Sequence, residues 1–287
     1  MSLIPIIVLA IVQGLAELLP ISSSAHVIVA EKVMGLDPSS PPMTLLLVML
    51  HTGTMFAVIT YFWRQWRSTY FQSSSSFRRF AGHAVLATGL TGAIGEGCIK
   101  IIEKTIFRHV GHAQIEDLFS HLELIAPALA AAGVLISIAG IVEKRTASLD
   151  ETKDLNAWQA ALIGAVQGLC LPFRGFSRSG ATISTGILAG VAKRRAETFS
   201  FALAVVLTPA VVAREGVRLI DAEHISGTVH LASAVLPSLI GAALSFCSGL
   251  LALKWLSRWL EGGRWYVFGI YCLIAAAVVA SIHHMGY

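Results

Sequence analysis

A chain of 287 residues that is 55% hydrophobic and only 13% charged, with a mean hydropathy of +0.72, is too apolar for a soluble domain and reads as a polytopic helical membrane protein. Its formal charge is +4, from 21 Lys+Arg against 17 Asp+Glu, and no basic tract carries interleaved aromatics. That balance argues against a nucleic-acid partner and for loops that lie on anionic lipid.

In chain order, the first apolar stretch covers 3–30 and is broken near its middle by "LLPISSSAH". Spans follow at roughly 43–63, 82–102 and 122–142. A second broken stretch covers 158–192 and carries "LPFRGFSRSG". Three more spans complete the chain at 199–213, 231–253 and 265–283; the first of these is short and contains Pro209. Irregular backbone exposed to hydrocarbon is not tolerated, so both breaks must be buried in protein or line a cavity. The four cysteines, Cys98, Cys170, Cys247 and Cys272, form no CxxC pair, so neither a disulfide framework nor a metal cluster is expected of them.

Loop charges set the orientation. Segments 64–81, 143–157, 193–195 and 254–264 are rich in Lys and Arg and belong in the cytoplasm; 31–42, 103–121 and 214–230 are poorer and go outside. Tracing the chain makes 158–192 a re-entrant hairpin from the inside and 3–30 a hairpin from the outside. The expected fold is therefore an all-α membrane protein forming one integral membrane domain over 1–287. It contains two inverted repeats, about 1–142 and 155–287, each a broken hairpin followed by three spans. A weak repeat agrees: setting Gln13-Gly14-Leu15 on Gln167-Gly168-Leu169 puts Ser23 on Ser177. Broken segments at matching places in inverted halves point to a site near the membrane midplane.

The breaks carry the chemistry. Gln13 and Glu17 share one helix face and offer oxygen ligands for a hard cation, Mg²⁺ or Ca²⁺. After Pro20 come Ser22, Ser23, Ser24 and His26, at the start of a second half-helix where free N–H groups favour anions. The second break places Arg178 among Ser177, Ser179 and Thr182, with Gly175 and Gly180 allowing close backbone approach, the makings of a phosphate clamp. A single hydroxyl in such a helix is more often bonded back to its own preceding turn. A charge is different, because inserting Glu or Arg costs about 2.5–3.5 kcal/mol, and Glu17 with Arg178 as a purely structural ion pair is the rival reading. His51, early in the first span, reads equally as packing or as site wall.

"QGLAELLPISSSAH" and "GFSRSGATIS" together resemble the two motifs of the undecaprenyl-diphosphatase family, the bacitracin-resistance proteins of bacterial inner membranes. "LHTGTMFAVITYFW", "AETFSFALA" and "FGIY" extend the resemblance over nearly the whole chain. Gln13 stands where many members have glutamate, and Arg174 where the family usually has proline. The segment 68–80, with "SSSS", is unlike a tight family loop.

The resemblance implies hydrolysis of undecaprenyl pyrophosphate to the monophosphate, metal-dependent, at a site open to the periplasm. In that reading Glu17 binds metal or acts as general base, with Gln13 supporting the metal. Ser23 and His26 are nucleophile and activator in either order, and a metal-bound water is an equal alternative attacker. Arg178 clamps the phosphate, and Ser22, Ser24, Ser177, Ser179, Gly180 and Thr182 contact the pyrophosphate. The partners are the lipid substrate and membrane lipid, a homodimer is compatible, and a polyprenyl-phosphate flippase using the same anion site is the rival function.

Overall fold

The computed structural model describes residues 3–37, 40–106, 122–145, 154–226, 231–260 and 264–285. Ten α-helices make up these residues, in the order α1 (Leu3–Leu18), α2 (Ser23–Val33), α3 (Pro41–Thr69), α4 (Ser74–Ile106), α5 (Leu122–Arg145), α6 (Ala157–Cys170), α7 (Arg178–Leu188), α8 (Lys193–Ser226), α9 (Leu231–Leu260) and α10 (Trp265–His284). Six of them, α3, α4, α5, α8, α9 and α10, are long and apolar enough to cross a membrane. The order is two short helices then three long ones, twice over, as the sequence pattern predicts.

Two boundaries differ from the sequence reading. The segment 68–80 is no extended loop: α3 runs through Thr69 and α4 begins at Ser74, leaving a tight turn. The span expected at 199–213 belongs to the much longer α8, because Pro209 removes one backbone donor without ending the helix. The expected outer loop at 103–121 lies outside the described residues beyond 106, as do most of 143–157 and the end of 214–230.

Packing follows the halves. α1 lies on α9 and α6 lies on α4, while α3 packs on α8 and α5 on α10. Exchange of the halves maps the first pair of contacts onto each other and each of the last two onto itself. On the register pairing Gln13 with Gln167, Gly14 falls on Gly168, Ala10 on Gly164 and Gly95 on Gly249. A Cβ on Gly14 would strike Ser248 and lie 2.9 Å from Gly249 N; a Cβ on Gly168 would lie 2.9 Å from Thr91 O and 3.2 Å from Gly95 N. The Ser248 hydroxyl donates to Ala10 O at 3.1 Å, and the Thr91 hydroxyl donates to Gly164 O at 2.9 Å. This matched packing is consistent with two repeats related by a two-fold exchange. The likeness is incomplete, since α3 also packs along α9 whereas α4 only touches α8.

The basic segments collect at one end. Arg79 and Arg195 flank Asp154 at 3.5 and 3.9 Å, Lys193 pairs with Glu143 at 3.0 Å, and Lys193 lies over the Trp265 ring at 5.6 Å. Three of the four segments assigned to one side by their charge thus meet, and the fourth, 254–264, ends one residue before Trp265.

Candidate active site

The first hairpin breaks where Pro20 cannot continue α1. Ile21 N–H turns back to Leu19 O at 2.8 Å, and Ser22 sits at φ 68, a region disfavoured for a residue with a Cβ. Backbone strain of this kind costs on the order of 1–3 kcal/mol and persists only when the surroundings hold it. His26 does so: its Nδ1 donates to the Ser22 carbonyl at 2.7 Å. Ser22 is the N-cap of α2 but its side chain caps nothing, and its hydroxyl lies 3.3 Å from that of Ser24. The first-turn N–H groups of α2 are therefore left without a side-chain cap, as an anion requires.

The second hairpin breaks in a turn closed by Phe176 N–H to Phe173 O at 3.1 Å, with Gly175 at φ 104. A positive φ at the third place of a turn calls for glycine, and the second place favours proline without demanding it. Arg174 fills that second place, so the turn keeps its shape without the family proline. A Cβ on Gly175 would also lie 2.6 Å from Ile125 O. Ser177 then caps α7 by accepting from Gly180 N–H at 3.2 Å.

The two breaks meet. Arg178 Nη2 donates to Glu17 Oε1 at 2.6 Å, and Ser179 Oγ donates to Leu19 O at 3.4 Å. Glu17 Oε2 accepts from Ser23 Oγ at 2.5 Å and from Gln13 Nε2 at 3.1 Å. The His51 Nε2 stands 3.7 Å from the same oxygen, which places His51 in the site wall. Two buried polar atoms here have no partner: Arg178 Nη1 and Gln13 Oε1. A purely structural ion pair would not strand a guanidinium nitrogen and an amide oxygen beside it, since each unsatisfied buried group costs about 1–3 kcal/mol. A phosphate oxygen would satisfy the first, and a cation the second.

The remaining predicted residues sit behind this centre. Thr182 is fully buried and its hydroxyl is spent on Arg178 O at 2.8 Å and the Ser200 hydroxyl at 2.5 Å. Gly180 lets Ile136 of α5 approach, a Cβ there lying 2.6 Å from Ile136 Cδ1. Ser177, Thr182 and Gly180 therefore fix α7 and the base of Arg178. Sequence spacing offered His26 as the base for Ser23, but both ring nitrogens are engaged elsewhere. A carbonyl only accepts, so Nδ1 carries the hydrogen; in the neutral ring Nε2 then accepts from the Tyr271 hydroxyl at 2.8 Å, with the two rings stacked 5.7 Å apart. Tyr271 was not among the sequence candidates. Its signal was the "FGIY" segment, a phenol in an apolar span that needs a hydrogen-bond partner.

Among the described residues no three His, Cys, Asp or Glu side chains gather to hold a metal. Glu17 and the unpartnered Gln13 Oε1 offer two hard oxygen donors, a set that fits a Mg²⁺-like ion keeping waters and substrate oxygens as its other ligands.

The sequence pattern of the family described as "Bacitracin resistance protein BacA" matches residues 6–278. A protein of Acinetobacter baylyi named "Undecaprenyl-diphosphatase 2" is 56% identical over 98% of both chains. One of Burkholderia thailandensis with the same name is 31% identical over 96% of this chain and 95% of its own. An "Undecaprenyl-diphosphatase" of Rhodopirellula baltica is 31% identical over 98% of both. With its two motifs brought into one site and the match running almost end to end, this chain belongs to the bacitracin resistance protein BacA family.

Proposed function

We propose that this chain hydrolyses undecaprenyl pyrophosphate to undecaprenyl phosphate and inorganic phosphate, recycling the lipid carrier of cell-wall synthesis. The observation that carries this reading is the contact of Glu17 with both Ser23 and Arg178, at 2.5 and 2.6 Å, across the two breaks. In the resting site Arg178 neutralises Glu17. An arriving pyrophosphate competes for the guanidinium, engaging Nη1 and drawing charge from the carboxylate, which leaves Glu17 able to take the Ser23 proton. Ser23 Oγ then attacks the terminal phosphorus. The Ser23 O–P bond forms, the bridging P–O bond breaks towards undecaprenyl phosphate, and the Ser23 proton rests on Glu17. Water attacks the phosphoserine in turn: its oxygen bonds to phosphorus, the Ser23 O–P bond breaks, the proton held by Glu17 returns to Ser23 Oγ, and inorganic phosphate leaves with the water's protons. The uncapped N–H groups of α2, with Ser22 and Ser24, receive phosphate oxygens, and Arg178 neutralises their charge in the transition state. Glu17 and Gln13 would hold the divalent cation, which supplies further charge neutralisation. His26 braces the Ser22 carbonyl and is braced by Tyr271.

The basic segments gathered at one end support a cytoplasmic end there, with the site opening to the periplasm of a bacterial inner membrane. The direct test is phosphate release from undecaprenyl pyrophosphate by the purified chain. Release that stops on chelation and returns with Mg²⁺ or Ca²⁺ is the expected result. Lipid translocation without phosphate release would make the chain a flippase; full activity after exhaustive chelation would remove the cation.

A further inference from the structure

A second polar cluster lies far from the catalytic centre. From His51 to Thr69 helix α3 rises about 27 Å. At that far end a pocket lies between the end of α3, the first turns of α4 and α8, and the segment entering α6, lined by Tyr70, Ser76, Arg79, His83, Asp154 and Arg195. The Tyr70 side chain is 8% exposed, and its hydroxyl is buried without a partner. The ring cannot swing away, being stacked on Phe80 at 4.1 Å, with Phe80 edge-on to Phe199 at 6.4 Å. Burial pushes the phenol above its ordinary pKa, so it stays a hydrogen donor. Among the described residues Asp154 is the one carboxylate in the pocket lining, held loosely between Arg79 at 3.5 Å and Arg195 at 3.9 Å. Two guanidiniums with a fixed, unsatisfied donor between aromatic walls form a site for a tetrahedral oxyanion.

We propose that this pocket binds the phosphate of a membrane phospholipid headgroup, clamped by Arg79 and Arg195 and fixed by the Tyr70 hydroxyl. A free phosphate shares that chemistry. The lipid source is favoured by two exposed tryptophans near the pocket in the chain, Trp63, whose ring lies 6.1 Å from that of Phe71 next to Tyr70, and Trp158, four residues after Asp154, since tryptophan collects at the headgroup layer. Arg64, Arg67 and Arg78 lie on the same segments and add attraction for anionic lipid. Bound there, the headgroup displaces Asp154 from the arginines and joins α3, α4 and α8, at a site separate from hydrolysis.

Native mass spectrometry of the full chain from detergent tests this, titrating phosphatidylglycerol, diacylglycerol with the same acyl chains, and inorganic phosphate. The expected result is one retained phosphatidylglycerol adduct, no diacylglycerol adduct, and about tenfold weaker retention in Tyr70→Phe, the loss of one hydrogen bond to a charged group. Asp154→Asn should tighten the adduct by removing the competing carboxylate, an outcome misfolding cannot mimic. Equal retention of diacylglycerol, or an adduct unchanged in both Tyr70→Phe and Arg195→Gln, would overturn the site. Inorganic phosphate retained with no phosphatidylglycerol adduct would overturn the lipid source and assign a free phosphate.

Discussion

At the scale of single residues, the hydroxyl of Tyr271 decides what His26 is free to do. With Nε2 bonded to Tyr271 and Nδ1 to the Ser22 carbonyl, the imidazole braces the break and does not face Ser23. A residue that works through its Nδ1–H can be replaced in part by one that puts an N–H in the same place. His26→Asn should therefore keep turnover within about tenfold of the parent, while His26→Ala loses about 10²-fold or more. Steady-state phosphate release on the three proteins checks this. Equal inactivity of the Asn and Ala variants would return His26 to nucleophile or proton carrier. Glu17 and Arg178 were legible in the sequence because a charge in an apolar stretch carries a cost that only function or pairing offsets. Tyr271 is legible only as a phenol in need of a partner, because that partner is 245 residues away and nothing local says which it is. Thr182 and Gly180 are read for phosphate from their residue types alone, and their surroundings also use them for packing.

At the scale of elements, the two broken hairpins were visible because proline, glycine and serine interrupt apolar runs at spacings too short for a span. Helix ends were less legible, since Pro209 stops nothing inside α8 and the serine run beside α4 becomes its first turn. The close contact of α6 on α4 depends on Gly168, where an added Cβ meets Ile94 and Thr91 O, each at 2.9 Å. Gly168→Ala should lower stability by about 1–3 kcal/mol as the helices are forced apart. Gly92, on α4 with open space around it, should gain up to about 1 kcal/mol from alanine through helix propensity alone. Thermal unfolding of the two variants in the same detergent gives the signs. A neutral Gly168→Ala would mean that this contact is looser than the helix packing requires.

At the scale of the whole molecule, each half supplies what the other lacks. On the repeat register Glu17 falls on Leu171 and Arg178 on Ser24, so one half keeps the carboxylate and the other the guanidinium. The orientation of that assembly is checked with single cysteines in a background without the native ones. Ser226→Cys should react with a membrane-impermeant thiol reagent on intact cells and Ser73→Cys should not; the reverse pattern would invert the topology. The union of the halves is tested most directly by a double-mutant cycle on phosphate release from undecaprenyl pyrophosphate. Glu17→Ala and Arg178→Ala should each lower turnover by about 10²–10³ or more. Because both act on one transition state, the double variant should be little slower than the slower single one. A double variant whose loss equals the product of the two single losses would show two independent sites, and would contradict a catalytic centre built where the hairpins meet.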